Sequence, residues 1–171
     1  MSQLSMLDDD SRNHSPNPRI DKLLNQVDLA WKEFIVSWDG LSDETLLRPG
    51  VTGDWSIRDL IAHVTWWDQE AIDHLPIVLS GGRPPKYSDL YGGIDAFNAQ
   101  MTEKKLGLSL AQVRLEFDST HAQLIDYILR LAPENILAEP RFRRRLKLDT
   151  FGHYPIHTAD ILSWRSRQGL G

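Results

Sequence analysis

Two histidines, His153 and His157, stand four residues apart near the C-terminal end of the chain. On a helix this spacing places both imidazoles on one face, about one turn apart. Two neutral imidazoles in that arrangement can bind one divalent metal ion, as in other histidine pairs of this spacing. Such pairs also occur without a metal, so the spacing alone leaves both interpretations open.

A third histidine, His63, lies among apolar residues such as Leu60 and Trp67 on an earlier predicted helix. A single histidine there is more often a hydrogen-bonded core residue than a ligand. Crossing or antiparallel helices could, however, bring it to His153 and His157, because bundle cores hold metal sites built from facing helices. Three nitrogen ligands suit zinc, nickel, copper or ferrous iron and leave a position for water or substrate. If the three histidines meet, we expect one divalent ion there, with zinc or nickel the first choices and iron the next.

Two carboxylates are spaced to support such a centre. A metal-bound histidine usually donates its second ring N–H to an acceptor that fixes the ring. Asp59 lies four residues before His63, and Asp160 lies three residues after His157. An exposed carboxylate is an equally good interpretation of each, because aspartate is usually at the surface.

Aromatic residues and one more histidine are candidates for the lining of the same pocket. Trp67 follows His63 by one turn, and Trp164 follows His157 by two turns. Trp66 is the neighbour of Trp67 in the sequence. His121 lies on an apolar stripe and could shuttle protons, although a buried structural role is the more common one.

The densest basic run covers residues 141–147, just before the histidine pair. It is either a solvated surface segment or a clamp for an anionic ligand near the metal, with Arg143 and Arg145 as the candidates. Nucleic acid is not an expected partner. The chain has 19 basic and 24 acidic residues, a net charge of −5, and no docking motif.

Four amphipathic helices must position these residues, and no strand pattern is convincing. The first covers residues 18–38 after an N-cap at Asn17, and the second covers residues 57–80 after an N-cap at Ser56. The third is in two pieces, residues 94–101 and 110–131, and restarts at Ser109; the last begins near Thr150. Pro155 falls inside the first turns of that last helix and is expected to distort its start. Residues 141–150 suit a short strand or an extended loop. The sequence predicts an all-α helical bundle.

The 171 residues, 41% hydrophobic and 25% charged, fit one domain over residues 17–171. Residues 1–16 are polar, contain a proline and are predicted to form a disordered tail. The chain has no cysteine, which excludes disulfides and thiolate ligands. It has no apolar run long enough to cross a bilayer and no secretory signal, so we expect a cytoplasmic protein without a membrane partner.

Three segments of the chain resemble the DinB-like four-helix-bundle superfamily. GDWSIRDLIAHVTWWDQE is similar to its second-helix signature, and DTFGHYPIHTADILSWR is similar to its last helix, which carries two histidines four residues apart. IDAFNAQ and LSLAQVRLEFDSTHAQL resemble its middle helix. The resemblance extends over about residues 18–168.

This resemblance implies an antiparallel four-helix bundle, a metal at the matching positions His63, His153 and His157, and frequent homodimers. Relatives include thiol-dependent transferases, the mycothiol-dependent maleylpyruvate isomerase and the ClbS/DfsB proteins, which protect against a genotoxin. The implied function is a metal-dependent enzyme in which an activated thiol or water attacks a small electrophilic substrate, with a low-molecular-weight thiol as second cofactor. The alternative is a non-catalytic stress-response protein that binds a metal or a small ligand.

Overall fold

The structure is a computed structural model that describes residues 17–170, so the tail predicted over residues 1–16 lies outside the described residues. Within that range all regular secondary structure is helical, apart from one isolated bridge between Thr52 and Trp55. The helices are α1 (Pro18–Trp38), α2 (Asp43–Leu46), α3 (Ile57–Leu79), α4 (Tyr87–Tyr91), α5 (Ile94–Lys105), α6 (Leu110–Leu129), α7 (Pro133–Ala138), α8 (Pro140–Asp149) and α9 (Tyr154–Gln168). None of the helices in this part of the chain is long and apolar enough to cross a membrane.

The four long helices, α1, α3, α6 and α9, pack into one bundle. Contacts along α1 show that α9 runs in the same direction. Tyr154 at the start of α9 lies 5.6 Å from Trp31 between ring centroids, while Arg165 near its end donates to the carbonyl of Ser37, further along α1. These two helices therefore form one parallel pair of the bundle.

The helices α3 and α6 form the second parallel pair, and it opposes the first. Arg58 at the start of α3 donates to the carbonyl of Leu108 just before α6, and Asp68 further along α3 meets His121 further along α6. Asp68 also meets Tyr154 at the start of α9, while the earlier residue His63 meets His157 further along α9, so α3 and α9 are antiparallel. Because α3 and α6 point the same way, residues 80–109 must cross over the bundle, and they carry α4 and α5.

Helix starts follow the predicted capping chemistry. Asn17 accepts a hydrogen bond from the backbone N–H of Arg19, and Ser56 and Ser109 each form a complete capping box with the residue three positions later. These side chains satisfy backbone N–H groups that have no partner inside the helix. The predicted beginnings of α1, α3 and α6 are therefore confirmed.

The strand or extended loop expected over residues 141–150 is wrong, because that segment forms α8. Pro140 occupies a first-turn position, where its missing N–H costs nothing, and the side chain of Glu139 caps the helix. Phe142, Leu146 and Asp149 follow at spacings of four and three and are buried together on one face.

The last helix begins at Tyr154 instead of near Thr150. A tight turn over residues 150–153 precedes it, and His153 is its N-cap. Pro155 lies in the first turn, where no intrahelical hydrogen bond is lost. The distortion expected from this proline is therefore absent from the described helix.

Candidate metal centre

The three histidines singled out in the sequence meet between α3 and α9. The Nε2 atom of His153 lies 3.1 Å from Nε2 of His63 and 2.9 Å from Nε2 of His157. One ligand atom from each ring lies within 4.8 Å of the others. The rings meet almost edge to face, with interplanar angles of 70° to 87°. We call these three residues the histidine centre.

The position of His153 depends on the turn between α8 and α9. The carbonyl of Thr150 accepts hydrogen bonds from the backbone N–H groups of His153, at 2.7 Å, and Tyr154, at 2.9 Å. The N–H of Gly152 donates to the carbonyl of Lys147 at 2.8 Å. A Cβ atom on Gly152 would lie only 2.6 Å from that carbonyl, so the turn requires glycine there. The predicted pairing of the two later histidines thus forms across a helix start and not within the helix.

Burial keeps the three imidazoles neutral. It lowers the pKa of His63 to about 2, and the neighbouring His153 and His157 add to that effect. Burial and then His157 lower the pKa of His153 to about 3. Burial also lowers the pKa of His157, and Asp160 offsets part of the change. A neutral imidazole offers the nitrogen lone pair that a metal ligand needs.

The donor set fits a divalent cation better than it fits a hydrogen-bonded cluster. A neutral Nε2 has either one hydrogen or one lone pair, yet Nε2 of His153 faces two other ring nitrogens at about 3 Å. The Nδ1 atoms of His153 and His157 are also buried without a well-formed hydrogen bond. Tetrahedral zinc, with Zn–N bonds of about 2.0–2.1 Å, holds its nitrogens about 3.3 Å apart. One cation would therefore satisfy all three lone pairs after a small expansion.

The two carboxylates expected to orient the rings differ in position. Oδ2 of Asp160 lies 3.4 Å from Nδ1 of His157, which is within ion-pair range but long for a hydrogen bond. Asp59 instead serves the start of α3: it accepts from the backbone and hydroxyl of Ser56 and from Arg58. It contributes to the helix start and makes no hydrogen bond to His63.

Tryptophan rings flank two of the three imidazoles. Trp67 lies 5.5 Å from His153 and 6.3 Å from His63 between ring centroids. Trp55 lies 5.0 Å from His63, and it was not singled out from the sequence as a pocket residue. Its position eight residues before His63, two turns away, is the signal that indicates this contact. Trp66 and Trp164 lie elsewhere: Trp66 packs on Phe97, and Trp164 is buried in the main core.

His121 belongs to a separate buried cluster. Its Nδ1 lies 3.1 Å from Oδ2 of Asp68, and its ring stacks on Trp31 at 3.6 Å. Tyr154 donates to the other oxygen of Asp68 at 2.5 Å. We call Asp68, His121 and Tyr154 the aspartate cluster. Sequence reasoning missed Asp68 and Tyr154, although both occupy buried-face positions of their helices.

The comparisons with known proteins bear directly on this arrangement. The sequence model of the DinB superfamily matches residues 26–160. The chain belongs to the DinB superfamily. Two solved structures share its fold. One is titled "Sibling Lethal Factor Precursor - DfsB", with TM-score 0.70, 17% identity and coverage of 89% of this chain and 98% of the other. The second is an uncharacterised protein from Escherichia coli UTI89, with TM-score 0.73, 14% identity and coverage of 89% and 95%. No curated protein matches the chain.

In this DinB-superfamily protein a cavity of about 540 Å³ opens beside the histidine centre, and we call it the inner cleft. Its walls are Trp67, Asn98, Ile94, Leu148, Ile156, Gly152, Arg144 and Lys147, together with His63 and His153. The cations on its lining are thus Arg144 and Lys147. Arg143 instead donates to Gln26, and Arg145 pairs with the buried Asp149.

Proposed function

We propose that this DinB-superfamily protein is an enzyme whose histidine centre holds one divalent metal ion, zinc or nickel in first place and iron next. The observation that carries the proposal is the convergence of three neutral imidazoles, two buried and one half-buried, from segments 90 residues apart. No carboxylate stands among these nitrogens, so the donor set matches the borderline-soft metals more closely than magnesium or calcium.

A metal ion bound there would lower the pKa of a coordinated water or thiol, or polarise a carbonyl group. The chain supplies the surroundings. Trp55 and Trp67 cover two sides of His63 and exclude water from them. The inner cleft leaves another side accessible to a small molecule, and about 540 Å³ is a typical volume for such a site.

One polar side chain in the inner cleft is oriented for substrate. The oxygen of the Asn98 amide accepts from Nε1 of Trp67 at 3.3 Å, so its NH₂ group points elsewhere. Asn98 also lines the inner cleft together with His63 and His153. We assign it the role of donor to a carbonyl or oxyanion of the bound substrate.

The reaction class that fits these parts is attack of a thiol or water on a small electrophilic substrate, as in a transferase, isomerase or hydrolase. A low-molecular-weight thiol is the proposed second cofactor. A homodimer is proposed as the assembly, and sedimentation equilibrium of the purified chain tests it.

Metal content tests the centre directly. Protein purified without a histidine tag should contain about one zinc or nickel per chain by elemental analysis, and His63→Ala should reduce metal affinity at least about a hundredfold because one of three ligands is lost. His74→Ala is the matched control. It removes another histidine of α3, whose Nδ1 lies 3.5 Å from Glu70, and should leave the metal content unchanged. Full metal binding by the His63→Ala protein would refute the centre.

A non-catalytic binding function is the second candidate, and one observation favours it. No aspartate, glutamate or tyrosine is present among the described residues that line the inner cleft, so no carboxylate base of this part of the chain faces a ligand there. Metal-loaded protein with glutathione or dithiothreitol and the generic electrophile 1-chloro-2,4-dinitrobenzene separates the two. Turnover that disappears on chelation supports the enzyme, and bound metal without turnover or thiol affinity supports the binding protein.

A further inference from the structure

A second cavity, of about 720 Å³, adjoins the inner cleft, and we call it the outer cleft. Three residues, Ile94, Arg144 and Leu148, line both cavities. The two clefts therefore form one elongated depression that runs from the α4 region to the histidine centre. Two adjoining clefts have room for an extended ligand that reaches from one into the other.

The lining of this depression has a charge opposite to that of the whole chain. The net charge is −5, yet six of the 19 basic residues line the two clefts. They are Arg83, Lys86, Arg141, Arg144, Arg145 and Lys147. No aspartate or glutamate of residues 17–170 is among the lining residues of either cleft. A positive cleft in an acidic protein attracts anions selectively.

Two of the six cationic side chains already form ion pairs with carboxylates that do not line the clefts. Arg141 pairs with Glu139 at 2.7 Å, and the Nε of Arg145 donates to the buried Asp149 at 2.6 Å. By contrast, Arg83, Lys86, Arg144 and Lys147 form no ion pair with any carboxylate of the described chain. Their charge is available to a ligand.

The wall between these cations is held rigidly. Tyr87 donates to Glu70 at 2.7 Å and accepts from Arg145 at 2.8 Å, which fixes α4 to α3 and α8. Arg145 is in turn held by Asp149. The backbone of this wall is therefore in place before a ligand arrives, and binding needs to order only the exposed side chains.

Apolar surface lies beside the free cations. Val78, Pro84 and Pro85 line the outer cleft, and the shared residues Ile94 and Leu148 continue the apolar wall towards the histidine centre. A small inorganic anion would leave this surface wet. A molecule with an apolar body and one oxyanion group would cover it.

We propose that the outer cleft binds the oxyanion end of an elongated, partly apolar small molecule, a carboxylate or a phosphate ester. Arg83, Lys86 and Arg144 contact the oxyanion, and the apolar body lies along Ile94 and Leu148. The opposite end of the molecule faces the histidine centre. This last orientation rests on the proposed function, whereas the oxyanion site itself does not.

Calorimetric titration of the metal-free protein with four probes tests the oxyanion site. Octanoate and octyl phosphate should bind at least about tenfold more tightly than octanol, because charge-assisted contacts contribute about 1.4 kcal/mol or more. Both should also bind more tightly than inorganic phosphate, which lacks the apolar body. The preference between octanoate and octyl phosphate distinguishes a carboxylate ligand from a phosphate ester. Equal affinity for octanol, or no binding of either charged probe, overturns the proposal.

Matched charge removals locate the site. The triple variant Arg83→Gln, Lys86→Gln, Arg144→Gln should weaken binding of the charged probes at least about tenfold, and Arg144→Gln alone should weaken it by a smaller factor. Arg143→Gln is the control: it lies next to Arg144 on α8 but donates to Gln26. All three substituted side chains are exposed, so the bundle should still fold, and unfolding curves check this. Unchanged probe affinity in a folded triple variant overturns the proposal.

A cobalt-substituted protein tests the orientation separately. Octanoate carrying a terminal thiol should shift the visible cobalt spectrum, and octanoate without the thiol should not. An unchanged spectrum overturns the orientation. Failure of cobalt to bind refutes the proposed function, while the titrations of the metal-free protein still decide the oxyanion site.

Discussion

The histidine centre and the aspartate cluster are two polar groups at similar depth in one bundle, and their partners differ. His63 and His121 are both 9% exposed. Nδ1 of His121 pairs with Asp68, which also accepts from Tyr154. In the histidine centre, the Nε2 atoms face each other, and the Nδ1 atoms of His153 and His157 have no well-formed hydrogen bond. Unmet bonding capacity, and not burial, therefore distinguishes the histidine centre from the aspartate cluster.

The aspartate cluster also fixes the position of His153 relative to α3. Tyr154 directly follows His153, and its hydroxyl is bound to the fully buried Asp68 on α3. His121 is held from the other side by the stacked ring of Trp31. The aspartate cluster, in which the polar groups are hydrogen-bonded, thus provides a rigid layer that positions the histidine centre.

The largest expected difference between the two regions is in stability. Asp68→Ala should lower the free energy of unfolding by about 3–5 kcal/mol, because the buried hydroxyl of Tyr154 and the ring of His121 lose their partner. His63→Ala in metal-free protein should lower the free energy of unfolding by about 1 kcal/mol or less, because it removes one of the ring nitrogens that face each other in the histidine centre. Urea unfolding in the presence of a chelator measures both. Equal losses would contradict the comparison, and Asp68→Asn, which keeps one acceptor, should fall between them.

Acid should destabilise the metal-free protein through the histidine centre. The pKa of His63, about 2, and that of His153, about 3, lie below the 6.5 of an exposed histidine. Below pH 6.5 these two histidines therefore bind more protons in the unfolded chain than in the folded one. Their contribution to the stability of the metal-free protein is fully present above pH 6.5 and decreases towards pH 3. Each proton that the unfolded chain binds and the folded chain does not gives the free energy of unfolding a slope of about 1.4 kcal/mol per pH unit.

Unfolding curves at pH 7, 6 and 5 measure that slope. The His63→Gln protein should show a slope smaller by about one proton. Saturating zinc should displace the decrease to lower pH, because protons must then compete with the metal. Equal slopes for the wild-type and His63→Gln proteins between pH 7 and 5 would show that the ring of His63 is not held neutral.

The turn before α9 affects the histidine centre through the backbone. Gly152→Ala should destabilise the protein by about 1–3 kcal/mol, because the new Cβ meets the carbonyl of Lys147. It should also weaken metal binding, since the same turn carries His153. Gly107→Ala is the matched control, because no heavy atom lies within 4 Å of a Cβ there. Thermal unfolding and zinc titration check both; wild-type metal affinity for Gly152→Ala would refute the link.

The smallest expected effect separates the two carboxylates. Asp160→Asn should reduce metal affinity about tenfold, because it weakens the acceptor near Nδ1 of His157. Asp59→Asn should leave metal affinity unchanged and cost about 1 kcal/mol of stability through its capping box. Competition titration with a zinc chelator reports the first effect and urea unfolding the second. The reverse pattern would place the orienting carboxylate at Asp59.

Local chemistry in the sequence predicted most of the bundle. The side chains of Asn17, Ser56 and Ser109 each mark a helix start through a hydrogen bond within three residues, so no tertiary information is needed. The misassigned segment, α8, contains the same kind of signal. Glu139 caps it and Pro140 opens it, but a run of arginines obscured the helical spacing of Phe142 and Leu146.

The contacts across the bundle were harder to predict. Spacing alone indicates that His153 and His157 are close, but the meeting with His63 depends on how α3 crosses α9. The aspartate cluster went undetected because a carboxylate on an apolar stripe is not distinctive until its partners are known. The rotation of α8 about its own axis decides which basic residues line the clefts. Because residues 141–150 were not predicted to be helical, this rotation could not be predicted either. Arg144 and Lys147 therefore line the inner cleft, where Arg143 and Arg145 were expected.

The separation of 90 residues between His63 and His153 has a consequence for the motions of the chain. An ion held by both would act as a reversible cross-link that closes a long loop and ties the C-terminal helix to the middle of the chain. Chelation would then release one end of the molecule selectively. Amide hydrogens of α9 would exchange with solvent much faster, while those of α6 would remain protected.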